Sequence, residues 1–209
     1  MKITRLLSLS AMVTGLTAGA SAQLLYDNGP PNQASGNEMT QWLQAENFTL
    51  TGNATLGWIR FWTIEDSVFG SYDGNVDWFV FDNNGGIPGS IVDSGSVTNP
   101  SKTFLQSGIL GVFDEYVYDL DIADVALTGS TDYWLGLHVN VGYGSRREIY
   151  WETTSAGNAP TGQESDGGTM NNWFGNGQEH AFELYGPVPE PSTIAVLGVL
   201  GALMLRRRK

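Results

Sequence analysis

A chain of 209 residues with 41% hydrophobic content is long enough for one domain with its own core. It contains no cysteine, which excludes disulfide frameworks, thiol nucleophiles and thiolate metal sites, and only His138 and His180 remain for base catalysis or imidazole ligation. Twenty-two acids against ten lysines and arginines give a formal charge of −12, which repels nucleic acid, while 27 glycines and 11% aromatics favour strands and tight turns over helices.

In chain order, Lys2 and Arg5 precede an apolar stretch from Leu6 to Gly19, and Ala20-Ser21-Ala22 follows, the small-x-small pattern that a signal peptidase accepts before Gln23. Residues 1–22 are therefore expected to be a signal peptide, with Ala20 and Ala22 at the cleavage site.

From Gln23 to Gly186 the hydrophobic period is two. Ala54 to Glu65 alternates Leu56, Trp58, Arg60 and Trp62 against Gly57, Ile59, Phe61 and Thr63, as a strand does. Val76 to Phe81 alternates likewise and runs into Asp82-Asn83-Asn84-Gly85-Gly86-Ile87-Pro88-Gly89, a concentrated turn signal. Further strands read at Ser90 to Val97, Phe104 to Leu110, Tyr116 to Ile122, Tyr133 to Val141, Ile149 to Thr153 and Ala181 to Tyr185. Gly157 to Gly177 reads as a long polar surface loop. Eight to ten short strands without βαβ spacing predict an all-β antiparallel sandwich of jelly-roll type over residues 23–186. In this body Arg60, Lys102, Arg146 and Arg147 oppose 21 acids, a formal −17, which keeps an exported protein soluble.

Residues 187–209 form a separate element. Val188-Pro189-Glu190-Pro191 leads through Ser192 into an uncharged run from Thr193 to Leu205, closed by Arg206-Arg207-Arg208-Lys209. At about 1.5 Å per residue, the 13 residues of the run reach roughly 20 Å as a helix, short against about 30 Å of hydrocarbon, and arginine snorkelling covers part of the deficit. The basic end acts as a membrane stop and stays in the cytoplasm, with the body outside.

The Pro-Glu-Pro tripeptide, the apolar run and the Arg-rich tail, in that order, resemble the PEP-CTERM sorting signal of exported proteins in Gram-negative bacteria. The resemblance implies processing by an exosortase, an integral membrane protease or transpeptidase, after a transient inner-membrane stage, and delivery to the cell surface or extracellular matrix in bacteria that export polysaccharide. Signal peptidase and exosortase are then the processing partners, and exopolysaccharide is the expected neighbour. More loosely, Tyr26-Asp27-Asn28-Gly29, Tyr133-Trp134-Leu135 and Ala181-Phe182-Glu183-Leu184-Tyr185-Gly186 are similar to small β-sandwich ectodomains that accompany this signal. That likeness implies a sandwich and no established activity.

Candidate ligand-binding residues come from the seven tryptophans, because flat aromatic faces stack on the C–H surfaces of sugars. In the strand Tyr133 to Val139 the odd positions are the more apolar, so Trp134 and His138 point the other way, and Trp134 is the first candidate for a sugar platform, with Trp173 second. Asp73 with Asp77, and Asp119, Asp121 and Asp124, have oxygen spacings compatible with structural calcium but lack a complete loop motif, so no metal ligand and no cofactor is assigned. Glu148 and Glu152 fall on one face of a strand, the arrangement a secreted polysaccharide hydrolase would need. No nucleophile motif accompanies them, and the sequence favours, over an enzyme, a non-catalytic surface or matrix protein whose sandwich either binds carbohydrate weakly or simply packs among matrix polymers.

Overall fold

The computed structural model describes residues 21–156, 161–166 and 168–188. Ala22 and Val188 fall inside that range. Ala20, the Pro189-Glu190-Pro191 tripeptide, the apolar run and the tail Arg206 to Lys209 lie outside the described residues. Thirteen strands occur among the described residues: β1 (Leu24–Asp27), β2 (Pro31–Glu38), β3 (Trp42–Thr49), β4 (Ala54–Asp66), β5 (Asn75–Asn83), β6 (Pro88–Thr98), β7 (Ser101–Ile109), β8 (Phe113–Leu127), β9 (Asp132–Val139), β10 (Ile149–Thr154), β11 (Gln163–Asp166), β12 (Trp173–Gly175) and β13 (Phe182–Tyr185).

The pairings are antiparallel and nested. β5 pairs with β6, β4 with β8, β3 with β9, and β2 with β10. A long hairpin folded in this way rolls up so that successive pairs fall in opposite sheets. One sheet runs β2-β10-β4-β8 and the other β3-β9-β5-β6, which is the jelly-roll order. Additional strands extend the frame: β7 lies outside β8, β11 and β12 lie outside β3, and β13 with β1 occupies the half of β4 that β10 leaves free.

The alternation explains the main core. Ile59, Phe61, Leu120, Trp151 and Phe182 from the first sheet meet Phe48, Trp78, Val80, Leu135 and Leu137 from the second, all buried. A register shift between Leu56 and Trp58 breaks the simple alternation of β4, so that Leu56 joins Ile59 and Phe61 in the core while Trp58, Arg60 and Trp62 stay partly exposed. A second apolar cluster of Leu43, Ala45, Phe81 and Trp134 lies on the outer side of the second sheet, covered by Phe79, Tyr143, Met170 and Trp173. Strand β9 is consequently buried on both faces from Tyr133 to Val139.

The stretch Gly157 to Gly177, expected to be a surface loop, contains β11 and β12. Strand β11 adds to the edge of β3, and Trp173 and Met170 fold back over the sheet. Strands β1, β2 and β3 also lacked a sequence signal, because β2 is polar throughout and β3 is buried on both faces. Chain Ala22–Val188 is one compact unit, and the described strand pairings and both apolar clusters lie within it. The segment therefore holds its own core and needs no other part of the chain to fold.

Candidate functional site

Trp134 is not the exposed platform that its strand parity suggested. It does point away from the inter-sheet core, but it is 2% exposed, sealed under the second cluster. Its indole N–H donates to Asn83 Oδ1 at 3.1 Å, so it positions the β5–β6 turn from beneath instead of facing solvent.

Trp173, the second candidate, borders an open cleft of about 570 Å³. The cleft lies between the β5–β6 turn and the segment leading into β12, and its polar wall comprises Asp82, Asn83, Asn84, Ser90 and Asn171. Asp82 Oδ1 accepts the Ser90 N–H at 2.6 Å, Asn83 Oδ1 accepts the Gly86 N–H at 3.0 Å, and the Asn84 N–H donates to Ile87 O at 2.9 Å. These bonds hold the turn rigid, with Gly85 and Gly86 supplying the positive φ it requires. The Trp173 ring meets Phe81 edge-on at 5.5 Å between centroids and keeps a partly exposed face. Its indole N–H is buried without a protein partner among the described residues. One half-open indole beside several amide and carboxylate groups can stack on a ring and bond its hydroxyls. The sequence carried the Asp82-Asn83-Asn84 part of this wall in plain view, but only as a turn signal.

Most of the remaining polar candidates are committed elsewhere, while Asp121 and Asp124 are exposed. His138 is fully buried, with Nε2 3.0 Å from the Thr40 carbonyl oxygen and the Tyr143 ring 3.9 Å away. Burial raises the Asp77 carboxyl, but His138, Ser96 and Asn75 together outweigh it and hold Asp77 below the usual carboxylate range. His180 is also fully buried: Nδ1 lies 2.9 Å from Glu46 Oε2, Nε2 3.1 Å from Asn37 Oδ1, and the ring stacks on Trp151.

Among the acids, Asp73 is a loop staple that accepts the N–H groups of Asn75 and Val141, and Asp119 pairs with Arg60 at 2.7 Å. Among the described residues no three His, Asp or Glu side chains converge on a metal-sized space. Glu148 precedes β10 instead of lying within it, has φ 54°, and is bound by Arg146 at 3.1 Å and by the Tyr150 hydroxyl. Glu152 is fully buried, its Oε1 accepting the Gln33 N–H at 2.7 Å. Burial first, and the neighbouring Glu115 second, push its pKa up to about 7. These two glutamates do not form the shared open pair that the strand reading anticipated.

Residues 187–209 match the family described as the PEP-CTERM protein-sorting motif. None of the curated proteins matches the chain. The β-sandwich ends at β13, and its last described residues, Gly186 to Val188, lead directly into the tripeptide. The chain thus joins a jelly-roll body to a PEP-CTERM sorting motif and is an exported protein of the exosortase-sorted type.

Proposed function

We propose that the body is a non-catalytic protein of the cell surface or extracellular matrix, delivered there by exosortase processing and associated with exopolysaccharide through the Trp173 cleft. The observation that carries this reading is the cleft itself: a partly exposed indole faces a rigid wall of Asp82, Asn83, Asn84 and Asn171. Weak, repeated contacts of this kind suit a protein embedded among polymer chains, where many low-affinity sites act together.

A glycan array probed with Ala22–Val188 and its Trp173→Ala variant tests the binding. Retention on a polysaccharide that drops several-fold in the variant, with the parent's circular dichroism at the assay temperature and a melting temperature lowered by the loss of Trp173 from the second cluster, is the expected result. Turnover in a parallel glycosidase screen without retained binding would overturn the reading. Replacement of Pro189, Glu190 and Pro191 by alanine tests the delivery, with export intact and the chain accumulating in the inner membrane. Release of that variant as efficiently as the parent would show that the tripeptide is not what is read.

A further inference from the structure

The other end of the sandwich carries a different surface. Val68 and Phe69 are 76% and 71% exposed in the β4–β5 loop, and Leu110 and Val112 are 58% and 52% exposed in the β7–β8 turn. Backbone bonds join these loops to each other and to the β9–β10 loop: Ser67 N–H donates to Val112 O at 3.1 Å, and Ser71 N–H to Arg147 O at 3.2 Å. The apolar side chains are held outward by design of the backbone. Asp66 Oδ1 accepts the N–H groups of both Val68 and Phe69 at 2.8 Å, and Gly70 N–H closes the turn onto Asp66 O at 2.8 Å. Leu110 has φ 50°, in the left-handed region that a leucine rarely adopts, between the positive-φ glycines Gly108 and Gly111.

The charge of this tip differs from that of the rest. Residues 66–74, 110–112 and 140–148, the capping Asp66 included, hold Arg146 and Arg147 against Asp66, Asp73 and Glu148, so the tip carries a formal −1 while the remainder of the body carries −16. Glu148 is occupied by Arg146, and among the described residues Arg147 is exposed and makes no ion pair. At physiological salt, charges beyond about 8 Å are screened, so a surface approaching the tip meets apolar side chains and guanidinium before it meets the acidic faces.

We propose that this tip docks on a phospholipid bilayer, with Val68, Phe69 and Leu110 entering the acyl boundary and Arg147 bonding lipid phosphate. Apolar side chains fixed at loop apices and rimmed by arginine fit a membrane interface, where each group finds its own depth. The acidic remainder fixes the orientation, since any other face turned to an anionic bilayer is repelled. The tether leaves from the opposite end of β4, where Pro187 packs against Gly57, about 30 Å along the strand from Asp66.

The test is flotation of Ala22–Val188 with vesicles of phosphatidylethanolamine and phosphatidylglycerol. The parent is expected to float with the lipid. The double variant Val68→Ser, Phe69→Ser should lose about tenfold or more in bound fraction, and Arg147→Gln several-fold, each with the parent's circular dichroism and melting temperature because the side chains are exposed. Failure of the parent to float even at low ionic strength, or flotation of the double variant equal to the parent's, would overturn the proposal. A Phe69-dependent dimer in solution without flotation would overturn it as well, assigning the tip to a second copy of the chain.

Discussion

Glu152 shows how a single carboxyl couples the sandwich to pH. Its folded-state pKa is about 7 against an ordinary 4.5, so between those values the native state holds a proton that the unfolded chain has lost. The contribution is therefore present in full below the unfolded value and disappears as pH rises through 7, a change of about 3 kcal/mol in all. Melting temperatures taken from pH 4.5 to 8 should fall across this window in the parent and fall less in Glu152→Gln, which keeps an oxygen for the Gln33 N–H and carries no charge to bury. Identical slopes in the two proteins would mean that Glu152 is not the titrating group. Neither the burial of Glu152 nor that of Trp134 was legible in the sequence. Parity did place Trp134 on the face away from the core, but what covers that face arrives from Tyr143, Met170 and Trp173, which are near in space and distant or irregular in sequence.

Among the elements, β7 sits at the edge of a sheet with one side unpaired among the described residues, and its single charge points inward. Lys102 Nζ lies 2.7 Å from Glu65 Oε2 and 4.0 Å from the Tyr116 ring centroid, with Tyr72 and Tyr118 also within 5.3 Å. The Tyr118 hydroxyl donates to the other Glu65 oxygen at 2.7 Å, and burial with this carboxylate beside it raises the phenol far above its ordinary value. Lys102→Met leaves Glu65 buried without its cation and should cost about 3 kcal/mol in urea unfolding, whereas adding Glu65→Gln should recover much of the loss. A loss in the double variant equal to the sum of the losses in Lys102→Met and Glu65→Gln alone would show the two side chains to be uncoupled. The strands that the sequence disclosed, β4 to β10 and β13, are those with one apolar face or a dense apolar run. Those it concealed are the polar β2, the doubly buried β3, and β11, whose four residues Gln163–Asp166 are a strand only because β3 offers an open edge.

For the whole molecule, the nested order β2·β10, β3·β9, β4·β8 and β5·β6 follows from antiparallel pairing once the number and lengths of the strands are known. That is why a jelly roll was readable from turns and alternation alone, while the cleft and the apolar tip, built by loops that meet only after rolling, were not. The net −17 of the body sets a common electrostatic background. Raising ionic strength should increase the melting temperature, and calcium should do so no more than sodium at matched ionic strength, since among the described residues no three acids or histidines converge on a metal-sized space. A distinct calcium increment, measured by differential scanning fluorimetry, would reveal a cation site.

The last strand of the body has a further consequence. Strand β13 is hydrogen-bonded on both sides, to β4 and to β1, and only Gly186, Pro187 and Val188 separate it from Pro189. Three residues of fully extended chain span about 10 Å, less than the width of a strand pair with its side chains. This is a very short leash for a membrane protease to work on. Any processing step that needs more slack ahead of Pro189 than these three residues give must take it from β13, and so must unpair Phe182 to Tyr185 from β4 and β1.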